Sequence, residues 1–160
     1  MNEPKDKSVS TPVDALLRSA RPSRLRVRVG LITTLFGLFV FILGTKPNWF
    51  HLDRSPTVGF MQISFFLVGL AIICLGGYTS LWGLWKGMER SIAADIGLRM
   101  VATGYVIAVF SGMADVFGMG SQSPPLIPFF GPIQALGVLL GEIVIALGFL
   151  LLIPYRAYMR

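Results

Sequence analysis

The sequence predicts an all-α membrane protein: a four-transmembrane-helix antiparallel bundle, both termini cytoplasmic, with a short amphipathic N-terminal segment. Three observations carry this. Residues Val58 to Trp85 contain no charged side chain. As a helix rising 1.5 Å per residue they reach ~42 Å, more than the ~30 Å of hydrocarbon in a bilayer. Of the 160 residues, 54% are hydrophobic and 14% charged, where a soluble domain carries about a quarter charged. Three further apolar stretches flank that run, and loops with prolines or charges separate all four.

Residues 1–28 form a basic cytoplasmic segment. Thr11-Pro12-Val13-Asp14 reads as a helix start, with a hydroxyl cap, proline in the first turn and an acid beside it. A short helix through Ala15, Leu16 and Leu17 is expected to lie on the membrane until Pro22. Arg18, Arg21, Arg24, Arg26 and Arg28 follow, and their nearness to an apolar span assigns them to anionic lipid headgroups. The net charge of +6 therefore points to a membrane surface and not to nucleic acid. The lead is long and hydrophilic, and Leu43-Gly44-Thr45-Lys46-Pro47 is no cleavage site, so the first span is expected to remain as a signal anchor.

The transmembrane domain occupies 29–154, with spans at about 29–44, 58–85, 100–119 and 132–153. The first is short, and Leu25 and Val27 lengthen it if Arg26 and Arg28 snorkel to the headgroups. Pro47 and Pro56 break the first loop, where Trp49 and Phe50 suit the interface. Tyr78, Trp82 and Trp85 give the second span an aromatic belt at its far end. In the second loop Met88, Ile92 and Ile96 recur at helical spacing among Lys86, Glu89, Arg90 and Asp95, which predicts a short helix in the headgroup plane. The third loop, Gly120 to Gly131, is uncharged and carries Pro124, Pro125 and Pro128 beside Phe129 and Phe130. It is expected to lie in the interface or fold over the bundle mouth. The fourth span starts with Pro132, and residues 155–160 form a cytoplasmic tail.

Orientation follows from the basic residues. Twelve of the fourteen lie in the N-terminal segment, second loop and tail, and two in the first loop. The positive-inside rule then puts both termini in the cytoplasm, in the plasma (inner) membrane.

A seven-residue spacing recurs through the spans, mostly of small residues: Gly30, Gly37 and Gly44; Gln62, Gly69, Gly76 and Gly83; Gly104, Ser111 and Gly118; Gln134, Gly141 and Gly148. Residues seven apart drift only ~20° around a helix. Lipid offers no hydrophobic force between helices, so close approach over small residues must hold them together. The predicted seam is Gly37, Gln62, Gly69, Gly76, Gly104, Ser111, Gly141 and Gly148. Gly137 and Gly141 form a G-x-x-x-G pair that is an alternative dimerisation face.

Two intramembrane carboxylates are the candidate functional residues. Asp115 lies about one turn from the outer end of the third span. Glu142 lies ~14 Å below the outer end of the fourth, where a charge costs at least ~2.5–3.5 kcal/mol. No Lys or Arg sits inside a span to neutralise it. Either the two carry protons or cations, entering past Asp115 and reaching Glu142, or Asp115 meets outer water and a neutral Glu142 bonds Gln62 or Ser64. Glu142 stands about 100° from the Gly141/Gly148 stripe, beside the seam, which favours the second reading.

Cys74 is alone and His51 is the single histidine, so no metal site or cofactor is expected. Cys74 and Tyr105 read as packing residues, and His51 with Asp53 as turn chemistry. There is no nucleotide, zinc-protease or nucleophile-elbow motif, and no enzymatic activity is expected. The sequence reads as a structural or accessory membrane protein, with a membrane-protein partner or a homo-oligomer; the alternative is a small proton or cation transporter or channel.

Overall fold

The computed structural model describes residues 24–46, 60–85, 91–119 and 130–154. Within them the fold is all-helical: α1 (Arg24–Thr45), α2 (Phe60–Leu84), α3 (Ile92–Gly112) and α4 (Pro132–Leu152). All four are long and apolar enough to cross a membrane. Their outer faces carry Leu31, Phe36, Val68, Val106, Leu140 and Leu147, all exposed, as suits a surface that meets acyl chains.

Glycine pairs the helices. α1 and α2 run antiparallel, and six of their glycines meet a larger residue on the other helix: Val27 on Gly83, Gly30 on Ser80, Thr34 on Gly76, Gly37 on Ile73, Phe41 on Gly69 and Gly44 on Phe66, while Gly77 meets Phe149 of α4. A methyl group on Gly37 would stand 2.7 Å from the Ile73 backbone nitrogen. α3 and α4 repeat the device. Gly97 meets Leu152, Val101 meets Gly148, Gly104 meets Ile145 and Ala108 meets Gly141. Backbones approach closely enough here for dispersion to replace the missing hydrophobic force. Gly137 packs on Ser111 and Gly141 on Ala108, so both members of the G-x-x-x-G pair are occupied inside the α3–α4 hairpin.

The two hairpins are register copies of each other. Gly30, Gly37 and Gly44 stand in α1 as Gly97, Gly104 and Ser111 stand in α3, while Gln62, Gly69 and Gly76 correspond to Gln134, Gly141 and Gly148. At the same offset Leu67, Ile73 and Leu75 match Leu139, Ile145 and Leu147. The seams therefore lie within each hairpin. α2 makes most of the junction between them, through smaller contacts with α3 and α4, and the junction is the apolar cluster Leu67, Leu70, Val101, Ala108 and Ile145, with Phe41 of α1 packed against it. Cys74 and Tyr105 pack against this cluster.

Local signals set the helix ends. Ser91 caps α3, its hydroxyl accepting from the Ala94 N–H at 3.2 Å. Residues 92–99, expected in the headgroup plane, are instead the first two turns of α3. Gly97 there packs against the Gly148 carbonyl, Leu151 and Leu152, which holds those turns against α4. Asp95 and Arg99 form an exposed ion pair at 3.1 Å along the helix. At its other end regular helix stops at Gly112. Looser turns continue to Gly118, whose φ of +75° closes them with bonds from Met119 N–H to the Ala114 carbonyl (2.9 Å) and from Gly118 N–H to the Asp115 carbonyl (3.2 Å). This is a Schellman closure, and Asp115 lies in it, past the regular helix. α4 opens with Gly131 at the cap, and the Gln134 side-chain oxygen accepts the Gly131 N–H at 2.8 Å. Trp85, expected in an aromatic belt, donates its indole N–H to the Leu152 carbonyl at 3.0 Å, satisfying one of the orphan acceptors at the end of α4.

Candidate functional site: a cavity between the hairpins

The glycine heptads bind α1 to α2 and α3 to α4, but nothing of the kind binds α1 to α4. At the end of the bundle bearing the α1–α2 and α3–α4 loops, those two helices stand apart around a cavity of about 450 Å³. Phe41, Gly44 and Thr45 line it from α1; Gln62, Ile63 and Phe66 from α2; Gly112 from α3; and Ala135, Val138, Leu139 and Glu142 from α4, with Phe130 just ahead of α4. The volume falls in the range of small-molecule sites.

The walls are mostly apolar. Phe41 and Phe66 pack ring to ring with centroids 4.6 Å apart. Three side chains bring polar atoms: Glu142, Gln62 and Thr45. The Thr45 hydroxyl donates to the Phe41 carbonyl at 2.9 Å, leaving its oxygen free to accept. Glu142 is half-buried. Its offset of about 100° from the Gly141/Gly148 stripe turns it away from α3 and toward the other hairpin. The sequence reading took that offset as a sign of a packing role; in the structure it is what puts the carboxylate on the cavity wall.

Glu142 and Gln62 both line the cavity and are not hydrogen-bonded to each other. Ser64, the other expected partner, donates its hydroxyl to the Phe60 carbonyl at 2.9 Å. Asp115 does not line the cavity. On the inner side the cavity-lining Phe41, Ile63 and Phe66 pack against the apolar cluster Leu67, Leu70, Val101, Ala108 and Ile145. Of the predicted seam, the glycines and Ser111 face partner helices within their own hairpins, while Gln62 faces the cavity. Sequence reasoning missed Phe41, Thr45, Ile63, Phe66 and Phe130 as lining residues; they carry no pattern distinguishing them from ordinary apolar span residues.

Gln134 is buried, and its amide nitrogen finds no acceptor among the described residues. Arg24, Arg26 and Arg28 lie exposed on the first turns of α1, whereas Arg18, Arg21, His51, Asp53, the N-terminal segment, most of the Pro-rich loop and the tail lie outside the described residues. No protein-family model, curated protein or solved structure matches this chain.

Proposed function

We propose that this chain is a multi-pass integral membrane protein of accessory type, working as a subunit of a larger membrane assembly or as a homo-oligomer. It crosses the plasma (inner) membrane four times as an antiparallel bundle of two hairpins, with both termini cytoplasmic. The excess of Lys and Arg on one set of loops supports that orientation. The exposed Arg24, Arg26 and Arg28 sit where anionic headgroups would be. In this reading the cavity holds a group and does not pass it across. What supports it is the apolar cluster packed against the cavity-lining Phe41, Ile63 and Phe66: in this reading the carboxylate is reached from one face of the membrane.

The runner-up is a small proton or cation transporter using Asp115 and Glu142. A carboxylate beside Gln62 on a cavity wall favours it. The position of Asp115 off that wall and the apolar cluster beneath weigh against it. Reconstitution in liposomes separates the two. The accessory reading expects no proton or cation flux above that of empty vesicles, and a second chain or a second copy retained in mild detergent and seen by native mass spectrometry. Flux that disappears in Glu142→Gln would replace it with the transporter, and a lone monodisperse monomer would remove the subunit claim.

A further inference from the structure

We propose that the cavity between the hairpins is a binding site for a small lipophilic ammonium ion, with Glu142 as its counter-ion. This rests on the reading of the cavity as a holding site, and it names what is held.

The duplicated register makes the cavity a local departure from a repeated plan. At the offset that lays Gly69 on Gly141 and Gly76 on Gly148, Glu142 corresponds to Leu70. Leu70 is 5% exposed and fills the junction between hairpins. In the second hairpin the same place carries a carboxylate, and the junction beside it is open by about 450 Å³. An apolar plug has been exchanged for a charge and a space, and a space lined by a carboxylate takes a cation.

The chemistry of the wall narrows the class. Glu142 from α4 supplies a negative charge to the wall, while Gln62 from α2 and Thr45 from α1 add polar side chains nearer the loop end of the cavity, so the ammonium end of a ligand pairs with Glu142. Phe41, Phe66 and Phe130 line the same cavity, and aromatic rings attract cations where water is excluded. Ile63, Val138 and Leu139 supply the apolar remainder. A bare metal ion would find one carboxylate and too few oxygens. An aminophospholipid is disfavoured on two grounds. Its ammonium sits at headgroup level while Glu142 lies near mid-membrane, and among the described residues no Lys or Arg lines the cavity to receive its phosphate.

The test is equilibrium binding of adamantylamine, and of its neutral analogue adamantanol, to the full chain in phosphatidylcholine nanodiscs, with empty discs subtracted. Saturable binding of one amine per chain is expected, at least about tenfold tighter than the alcohol, a gap of ~1.4 kcal/mol. Glu142→Gln should erase that preference. Ala135→Phe, which fills the cavity and keeps the carboxylate, should weaken both ligands. Ser64→Ala, outside the lining, should change neither. Added phosphatidylethanolamine should not compete. Equal binding of amine and alcohol, an unaffected Glu142→Gln, or no binding above empty discs would overturn the proposal, and competition by phosphatidylethanolamine would overturn the choice of a free amine. Because the readout is occupancy, it is independent of liposome flux: amine binding with flux removes the holding reading, and no binding without flux removes the ligand alone.

Discussion

Glu142 holds in the second hairpin the place that Leu70 holds in the first, and the two environments differ as their chemistry demands. Leu70 is buried among Leu67, Val101, Ala108 and Ile145; Glu142 faces an open cavity without a hydrogen bond to Gln62 or Ser64. In a membrane-spanning α4 a carboxylate costs insertion energy of at least ~2.5 kcal/mol, and among the described residues no ion pair or hydrogen bond to Glu142 offsets that. Glu142→Leu should therefore stabilise the protein, by about 2 kcal/mol, as polar-to-apolar changes at functional positions do. Thermal unfolding in detergent, followed by tryptophan fluorescence, should give a higher midpoint for the variant. A lower midpoint would mean that the carboxylate is part of the structural hydrogen bonding after all.

At the scale of the helix pair, packing distance and not side-chain chemistry decides stability. A methyl group on Gly104 would lie 2.6 Å from the Gly141 carbonyl oxygen and 2.9 Å from the Ile145 backbone nitrogen. Backbone cannot yield there without separating α3 from α4. At Gly112 the same methyl group meets only side-chain atoms of Ile63, Leu67 and Val138, at 3.5 to 3.6 Å. Gly104→Val should cost upwards of about 3 kcal/mol, at the high end for overpacking. Gly112→Ala should be neutral or stabilise by up to about 1 kcal/mol through helix propensity. Denaturation of the two variants in one detergent tests the ordering, and a tolerated Gly104→Val would mean that the glycine register is incidental. This register was legible in the sequence because seven residues make nearly two turns whatever the partner, and small residues at that spacing have one use in lipid. Span position was legible for a similar reason, since hydrocarbon thickness constrains each helix alone. The cavity was not. It depends on how far α1 stands from α4, which is set by the few contacts of α2 with the second hairpin, and no single helix encodes that distance. Asp115 was misplaced relative to α3 because Gly118, counted as one more seam glycine, is the residue that closes the turn.

The described helices form two hairpins of matching register, and each hairpin begins and ends on the same side of the bundle. A duplication of that kind leaves both copies with one orientation, related by an axis along the membrane normal. The charge bias therefore has to be satisfied twice. Lys and Arg should gather before α1, between α2 and α3, and after α4, and be sparse in the two loops within hairpins, as the sequence has it. Those sparse loops join the helix ends around the cavity, at the C-terminus of α1 and the N-termini of α2 and α4, so orientation decides from which face a ligand reaches Glu142. In a background with Cys74→Ala, single cysteines placed by Asn2→Cys, Ser123→Cys and Arg160→Cys report the sides directly with a membrane-impermeant maleimide. Ser123→Cys alone should react in intact cells, and the two terminal positions only after permeabilisation. The opposite pattern would place the cavity on the cytoplasmic face and make its ligand a cytoplasmic one. Labelling of one terminus but not the other in intact cells would break the equivalence of the hairpins and, with it, the correspondence of Glu142 to Leu70 on which the reading of the cavity depends.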